Sequence, residues 1–156
     1  MPPASNELFS LTLPATRASL AMTAALVEPL ARRLNFDDRD TYRVGLTIEE
    51  ACTNVIDHAY APGDAGDFTL RARIERANLV ISVEDHGLPR DPFARPGFGP
   101  DNPAAPGLGT RILEGMADEV RYLALGRGGK AVELIIRLPA VAAVEAPPET
   151  EASTPV

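Results

Sequence analysis

Hydrophobic and polar residues follow a two-residue period in some stretches of the chain and a helical period in others, and this pattern predicts its elements. In the first part of residues 68–76, every second side chain is apolar. This alternation is typical of a strand with one buried face. Residues 79–84 form an apolar run directly after Ala77 and Asn78, so a hairpin is predicted here. The five predicted strands are residues 8–13, 68–76, 79–84, 119–125 and 131–138.

Helical spacing of apolar residues predicts two helices between the first two strands. The first is expected over residues 16–34, with Thr16 as its N-cap and Pro29 as a kink or break. The second is expected from the capping residues 35–40 to Tyr60. A short third helix is predicted over residues 107–117. The side chains expected to face inward are Leu20, Ala24, Val27, Leu30 and Leu34 in the first helix and Ile112, Leu113 and Met116 in the third.

The order of these elements, β-α-α-β-β-loop-α-β-β, determines the expected fold class. A doubly wound parallel fold would need strict alternation, so we predict an α+β two-layer sandwich with a mainly antiparallel five-stranded sheet and the helices on one face. The 156 residues suit one domain, predicted over residues 1–139. Residues 86–106 are rich in Pro, Gly and Asp and predict a functional or mobile loop, and residues 140–156 predict a disordered acidic tail.

The composition argues against several kinds of partner. A formal net charge of -7 leaves no basic surface for nucleic acid or anionic lipid. The sequence has no apolar run of about 20 residues and no charged signal-peptide start, so we expect a cytoplasmic protein without membrane contact. Cys52 is the only cysteine, which excludes an internal disulfide and a cysteine-based zinc site. It is most simply a small core residue.

Acids, an amide and an imidazole are concentrated in residues 49–60, inside an otherwise apolar helix. At about 100° per residue, Glu50, Asn54 and Asp57 fall within roughly 60° of one another, with His58 on the border of this face. A solvated polar face is the ordinary explanation, but the types and order of the residues favour a site. The apolar flank expected to be buried is Val44, Ile48, Ala51, Cys52, Val55 and Ala59.

A carboxylate one turn before a carboxamide suits phosphoryl transfer. Glu50 can accept a proton, while the Asn54 amide oxygen can ligate a hard cation such as magnesium. Beside a phosphate site, these are the two tasks that the reaction needs. The sequence has no paired histidines and no nucleophile elbow, which argues against zinc enzymes and hydrolases, and His58 is expected to be structural.

Three glycine-containing segments are further candidates. Asp85-His86-Gly87 follows a strand and can offer a carboxylate and bare backbone to a ligand amino group, although such a segment is more often only a turn. Gly107-Leu108-Gly109 precedes a predicted helix, where backbone amides can bind phosphate, although it can also be only a loop device. It fits neither the Walker nor the dinucleotide pattern. Gly128-Gly129-Lys130 is interpreted as a turn with Lys130 exposed.

In this order the segments resemble the GHKL ATPase superfamily, which has the Bergerat nucleotide-binding fold, and most closely its anti-sigma-factor serine kinases of the RsbW and SpoIIAB type. Residues 50–60 are similar to the N-box of that family almost letter for letter, and the resemblance covers about residues 5–138. It implies that the protein binds ATP and Mg2+. The residues implied to bind the phosphates are Gly107, Leu108 and Gly109, and residues 88–106 would form the ATP lid.

The resemblance also implies a role for each polar residue of the site. Asn54 would ligate the magnesium ion, and Glu50 would be the general base for a substrate serine. Asp85 would accept a hydrogen bond from the adenine amino group, with Gly87 packing under the base.

Two positions depart from the superfamily pattern. Pro89 replaces the second glycine of Asp-x-Gly-x-Gly, which implies an altered lid with binding retained. Lys130 stands where a Gly-Thr pair would place threonine, which removes a hydroxyl that could support the adenine site.

The function implied is that of an ATP-dependent serine-protein kinase and anti-sigma factor. Its partners would be a STAS-domain anti-anti-sigma protein, which it phosphorylates on a serine, and a sigma factor, which a homodimer of the kinase sequesters. The alternative is a nucleotide-sensing or partner-sequestering module with little or no kinase activity, suggested by Pro89 and Lys130. A third hypothesis is a structural domain that binds no ligand. It would require that the polar face of the second helix faces solvent by chance and has no function.

Overall fold

The computed structural model describes residues 6–88 and 113–140 of the chain. Residues 1–5, 89–112 and 141–156 lie outside the described residues. The predictions for Pro89, for nearly all of the lid and the tail, and for the start of the third helix with Gly107, Leu108 and Gly109 therefore fall outside them.

The described residues form one five-stranded sheet in which all neighbouring strands are antiparallel, in the order β1-β2-β3-β5-β4. The strands are β1 (Glu7–Pro14), β2 (Asp67–Glu75), β3 (Asn78–Asp85), β4 (Glu119–Ala124) and β5 (Lys130–Arg137). The predicted α+β class with an antiparallel five-stranded sheet is confirmed. β3 lies in the middle of the sheet, so its last residue, Asp85, has a strand on each side.

Two tight turns connect neighbouring strands. β2 and β3 are joined by Arg76, which has a φ of 56°, and Ala77. This turn lies one residue earlier than predicted, because Asn78 already pairs with Glu75 in the ladder. The turn between β4 and β5 places Arg127 at a φ of 62°, and Gly128 follows at a φ of 80°, a conformation that glycine adopts without steric cost.

The first helix, α1, spans Ala18–Arg33 and begins later than predicted. Arg17, not Thr16, is at the N-cap position, because the Thr16 N–H donates to the Pro14 carbonyl in the turn that follows β1. Pro29 neither ends nor divides the helix. Pro29 lies on the exposed side of the helix, where water can donate the hydrogen bond that proline, which lacks an N–H, cannot donate.

The buried line of α1 also differs from the predicted apolar stripe. It consists of small or β-branched residues four positions apart, whereas Ala24 is exposed and Leu20, Leu30 and Leu34 are only half-buried. Such a row allows the backbones of two helices to approach closely, and α1 packs against the second helix. The row comprises Ser19, Thr23, Val27 and Ala31.

The second helix, α2, spans Asp38–His58, two residues short of the predicted end at Tyr60. Its N-cap is Asp37, whose carboxylate accepts a hydrogen bond of 2.7 Å from the Asp40 N–H. All six residues of the predicted apolar flank are buried, which confirms the period of the helix. This flank turns toward α1 and toward the central strands β3 and β5.

The two faces of the sheet differ in chemistry, which confirms a two-layer arrangement. The face toward the helices carries the core side chains, among them Phe68, Leu70, Leu79, Ile81, Leu134 and Ile136. The other face carries ion pairs: Arg71 Nε lies 3.1 Å from Glu84 Oε1, and Arg73 Nη1 lies 2.8 Å from Glu133 Oε1. The hydrogen bond to Glu133 raises the pKa of the Arg73 guanidinium above its ordinary value.

Removing the N-cap of α2 should weaken the fold more than removing the carboxylate beside it. Asp37→Ala should lower the free energy of unfolding by about 1 kcal/mol, because the Asp40 N–H loses its acceptor. Asp38→Ala is the matched control, since Asp38 caps no backbone N–H among the described residues and contributes through an exposed ion pair with Arg32 and its place in the first turn of α2, each worth less than about 1 kcal/mol. Urea unfolding followed by circular dichroism measures both, and equal losses would contradict the assigned cap.

Candidate active site

Glu50 and Asn54 occupy the outer side of α2. Both residues are half-buried, and they lie one helical turn apart, about 6 Å along the axis. Glu49 and Asp57 are exposed. The Asp57 carboxylate accepts a hydrogen bond of 2.9 Å from the guanidinium of Arg17 at the start of α1, so it joins the two helices. Glu50 and Asn54 are therefore the half-buried carboxylate and amide of the predicted polar face.

Asp85 provides a buried carboxylate at the end of the central strand. Only 4% of the residue surface is exposed, and its Oδ1 accepts a hydrogen bond of 2.9 Å from the Gly87 N–H. This bond closes a turn directly after β3. Because a buried carboxylate without donors is costly, the turn stabilises the charge at this position. The end of the central strand thus carries a buried carboxylate that is held by the turn that follows it.

Gly87 connects this turn to the C-terminal end of α2. A Cβ atom at position 87 would lie 2.0 Å from the carbonyl oxygen of Ala59, so the contact requires glycine. The Leu88 N–H donates to the same oxygen. The turn that carries Asp85 is thereby attached to the end of the helix that carries Glu50 and Asn54. The structure brings these two sequence-predicted segments together.

The sequence had suggested that Lys130 is exposed. Instead, Lys130 takes part in the site. It is the first residue of β5 and lies opposite Asp85 in the ladder between β3 and β5. Its ammonium donates to Asp85 Oδ1 at 2.6 Å and to the Leu88 carbonyl at 2.9 Å. The resemblance singled out position 130, but the contact between Lys130 and Asp85 was missed because β3 and β5 are not consecutive strands, so no local pattern indicates their register.

The donor set suits a magnesium ion that is shared with phosphates. Within residues 6–88 and 113–140, no cluster of three or more His, Cys, Asp or Glu side chains could hold a metal ion. Magnesium at nucleotide sites commonly takes one or two protein ligands and completes its shell with water and phosphate oxygens. The half-buried amide of Asn54, beside the carboxylate of Glu50, fits such a site.

The two histidines of the chain have different surroundings. His58 is in the last turn of α2, where a basic side chain interacts favourably with the helix dipole. His86 packs against the glycine turn before β5, since a Cβ atom on Gly129 would lie 2.7 Å from its Nε2 atom. Both positions have a packing or helix-end explanation. The structural role predicted for His58 stays a prediction.

The predicted phosphate-binding residues Gly107, Leu108 and Gly109 lie outside the described residues, but the end of their predicted helix is visible. Residues 113–116 are helical, and Leu113 belongs to the core with 2% of its surface exposed. Met116 is half-buried, and its carbonyl accepts a hydrogen bond of 3.0 Å from Nη1 of Arg43 on α2. The chain is therefore attached to α2 again where it returns to the described structure.

Cys52 lies on the buried side of α2 and is unsuited to nucleophilic chemistry. No part of the residue is accessible to solvent. Burial, together with the nearby Glu49 carboxylate, raises the pKa of its thiol to about 12. The thiolate is the reactive form, so the predicted role as a small core residue agrees with the structure.

Comparison with known families gives one match that covers most of the chain. Residues 13–136 match the family model described as the histidine kinase-like ATPase domain. The serine-protein kinase RsbW of Halalkalibacterium halodurans is 26% identical over 121 residues, which are 73% of this chain and 74% of that protein. The RsbW of Bacillus licheniformis is 28% identical over 123 residues, which are 74% and 77% of the two chains.

Solved structures resemble this fold at lower identity. The crystal structure of the RsbU and RsbW domains of a Mycobacterium tuberculosis protein has a TM-score of 0.59 and 22% identity, and covers 83% of this chain. A blue-light activated histidine kinase of Erythrobacter litoralis has a TM-score of 0.53 and 23% identity, and covers 78%. This chain spans only 31% and 41% of those two longer chains. Among the described residues, no helix combines the length and apolar character needed to cross a membrane.

The contact between Gly87 and Ala59 can be tested with two glycine substitutions. Gly87→Ala should lower the free energy of unfolding by about 1–3 kcal/mol or more, because the new methyl group overlaps the Ala59 carbonyl. Gly45→Ala in α2 is the matched control, since nothing lies within 4 Å of a Cβ there. It should stabilise the protein by up to about 1 kcal/mol through helix propensity. Denaturant unfolding of both variants gives the comparison, and a neutral Gly87→Ala would contradict the contact.

The burial of Cys52 predicts slow thiol labelling. At about pH 8, a thiol with a pKa near 12 is thiolate in only roughly one molecule in ten thousand, and the reagent must also reach a closed core. Native protein should therefore react with a thiol-specific chromogenic disulfide far more slowly than protein in denaturant. Rapid native labelling of this single cysteine would show that α2 is not packed as described.

Proposed function

The chain belongs to the histidine kinase-like ATPase domain family, and on that premise we propose that it is an ATP-dependent serine-protein kinase that also acts as an anti-sigma factor. The family match covers residues 13–136. The serine-kinase assignment is supported by relatives named serine-protein kinase RsbW, each aligned over about three quarters of this chain. The anti-sigma role is supported by the resemblance of residues 50–60 to the N-box of anti-sigma-factor kinases.

One observation carries the proposal. The buried carboxylate of Asp85 lies in a turn that Gly87 and Leu88 attach to the carbonyl of Ala59. This attachment holds the Asp85 carboxylate beyond the end of the helix that carries Glu50 and Asn54, which supports its proposed role as the acceptor for a base amino group. If the polar face of α2 were only a solvated surface, nothing would explain why the junction with Ala59 requires a residue without a side chain at Gly87.

Each residue of the site then has a chemical role. Asp85 accepts a hydrogen bond from the adenine amino group, and Gly87 keeps the backbone open beneath the base. Asn54 holds a magnesium ion through its amide oxygen, and such an ion neutralises charge on the phosphates during transfer. Glu50 accepts the proton of the substrate serine hydroxyl. The backbone amides of Gly107, Leu108 and Gly109 are proposed to bind the phosphates, with residues 88–106 as the lid.

The partners follow from the same resemblance. We propose that the phosphorylated serine belongs to a STAS-domain anti-anti-sigma protein and that a homodimer of the kinase sequesters a sigma factor in the cytoplasm. The net charge of -7 supports a protein partner over direct contact with nucleic acid.

A second candidate function is favoured by the contact between Lys130 and Asp85. Because the ammonium already occupies the carboxylate, the protein could serve as a nucleotide-sensing or partner-sequestering module with little or no kinase activity. This function predicts that partner binding persists in Glu50→Ala and that no phosphorylated partner forms with ATP.

Nucleotide binding is the first test. Calorimetric titration with ATP and with ADP should show binding that is strengthened by magnesium in the wild type and lost in Asp85→Asn. The substitution removes the charge and one of the two acceptor oxygens, while the Gly87 N–H still requires an acceptor at this side chain. The matched control is Glu84→Gln, since Glu84 lies on the opposite face of the sheet. No binding by the wild type would remove the kinase function.

Phosphotransfer tests the proposed base. Glu50→Ala should lower the rate of transfer to the serine substrate at least about tenfold, a loss of about 1.4 kcal/mol of transition-state stabilisation, while ATP binding is retained. Glu49→Ala is the matched control, because Glu49 is the adjacent carboxylate and is exposed. Transfer can be followed by the phosphoserine content of a candidate STAS protein. Full activity in Glu50→Ala would show that another group accepts the proton.

A further inference from the structure

Lys130 is bound at two points of the candidate nucleobase site. Its ammonium donates to Asp85 Oδ1 at 2.6 Å and to the carbonyl of Leu88 at 2.9 Å. The ion pair is shielded from water, since 18% of the Lys130 side chain and 5% of the Asp85 side chain are exposed. A charge-assisted hydrogen bond in such surroundings is stronger than a bond between neutral groups.

The same carboxylate has a different partner in the proposed function. The amino group of the base must donate to Asp85, but Asp85 Oδ1 already accepts from the Gly87 N–H and from the Lys130 ammonium. An exocyclic amino group is a neutral donor and binds a carboxylate less strongly than an ammonium does. Binding of the base therefore competes with an ion pair inside the protein.

The position of Lys130 is fixed by the fold. It pairs with Asp85 across the ladder between β3 and β5, and the preceding glycine turn packs against His86. The backbone of Lys130 therefore stays in place, and only its side chain can leave the carboxylate.

We propose that Lys130 determines the affinity and base selectivity of the nucleotide site by competing with the ligand for Asp85. This inference rests on the proposed function. The ammonium holds the Oδ1 atom and neutralises the carboxylate to which a 6-aminopurine would donate, so the amino group of the base meets a weaker acceptor and ATP binds less tightly. A 6-oxopurine lacks that donor, and its oxygen can accept from Lys130 instead. The contact therefore reduces discrimination between the two kinds of base.

The experiment compares ATP with inosine triphosphate in variants at position 130. Lys130→Thr removes the ammonium and introduces a β-branched residue suited to a strand. ATP should bind this variant at least about tenfold more tightly than the wild type, while the affinity for inosine triphosphate should rise less than about threefold. Lys130→Arg is the matched control, because it keeps a cationic donor, and its ATP affinity should stay within about threefold of the wild type.

Two further measurements separate competition at the base from other effects. Loss of the ammonium leaves a buried carboxylate with one donor fewer and destabilises the fold, so Lys130→Gln, which keeps a neutral donor, is measured in parallel with thermal melting of each variant. Inorganic triphosphate, which has no base, should bind no more tightly to Lys130→Thr than to the wild type. An equal gain for triphosphate would overturn the inference, because the effect would then not arise at the base.

The remaining outcomes distinguish the inference from the function on which it rests. If the wild type binds ATP and neither Lys130→Thr nor Lys130→Gln binds it more tightly, the inference is wrong and the nucleotide site stands. If Lys130→Thr binds ATP more weakly, Lys130 is a ligand of the nucleotide and not its competitor. If no variant binds any nucleotide, the proposed function fails, and the inference fails with it.

Discussion

The carbonyl group of Ala59 is the point on which the arrangement of the site depends. The last carbonyls of a helix have no partner within the helix, and this one accepts the N–H of Leu88 while Gly87 packs directly against it. An otherwise unsatisfied acceptor at a helix end therefore becomes the attachment for a strand end. Without this contact, α2 and β3 would still form a core, but the turn that carries Asp85 would not be held against the end of the helix that carries Glu50 and Asn54.

Burial separates the ion pair of the site from those on the open face of the sheet. On the open face, 42% of the Arg71 side chain and 35% of the Arg73 side chain are exposed, against 21% of Glu84 and 10% of Glu133, so water reaches the guanidinium side of each pair. The Asp85 and Lys130 side chains are much less accessible. Separating such a pair is costly unless another donor replaces the ammonium, and a bound ligand is one source of that donor. Exposure, more than distance, distinguishes the surface pairs from the pair at the end of β3.

The sequence predicted what depends on local periodicity. The spacing of the apolar flank from Val44 to Ala59 placed all six of its residues correctly in the core, and strand alternation gave the antiparallel sheet. It also singled out Glu50 and Asn54 on one face of α2. The predicted stripe of α1 was right only in part: Val27 is buried and the three leucines pack against the core half-buried, but small residues such as Ser19 take the fully buried row where the two helices pack closely.

What the sequence could not give depends on contacts between distant segments. The requirement for glycine at position 87 arises from a carbonyl 28 residues earlier in the chain, and no local signal indicates it. Lys130 was predicted to be exposed because its place opposite Asp85 depends on the pairing of strands separated by β4. Long-range register of this kind follows from the whole sheet. The resemblance to a family supplied the roles of the residues, but not this contact.

The attachments of α2 to the chain on either side of residues 89–112 have a consequence for loop closure. Leu88 is held at the C-terminal end of the helix through Ala59, and Met116 is held nearer its N-terminal end through Arg43. These two helix positions are separated by about 24 Å at a rise of about 1.5 Å per residue. The rigid helix α2 thus fixes the distance between the two attachments. The entropy lost in bringing these two points of the chain together is therefore lost when the core folds.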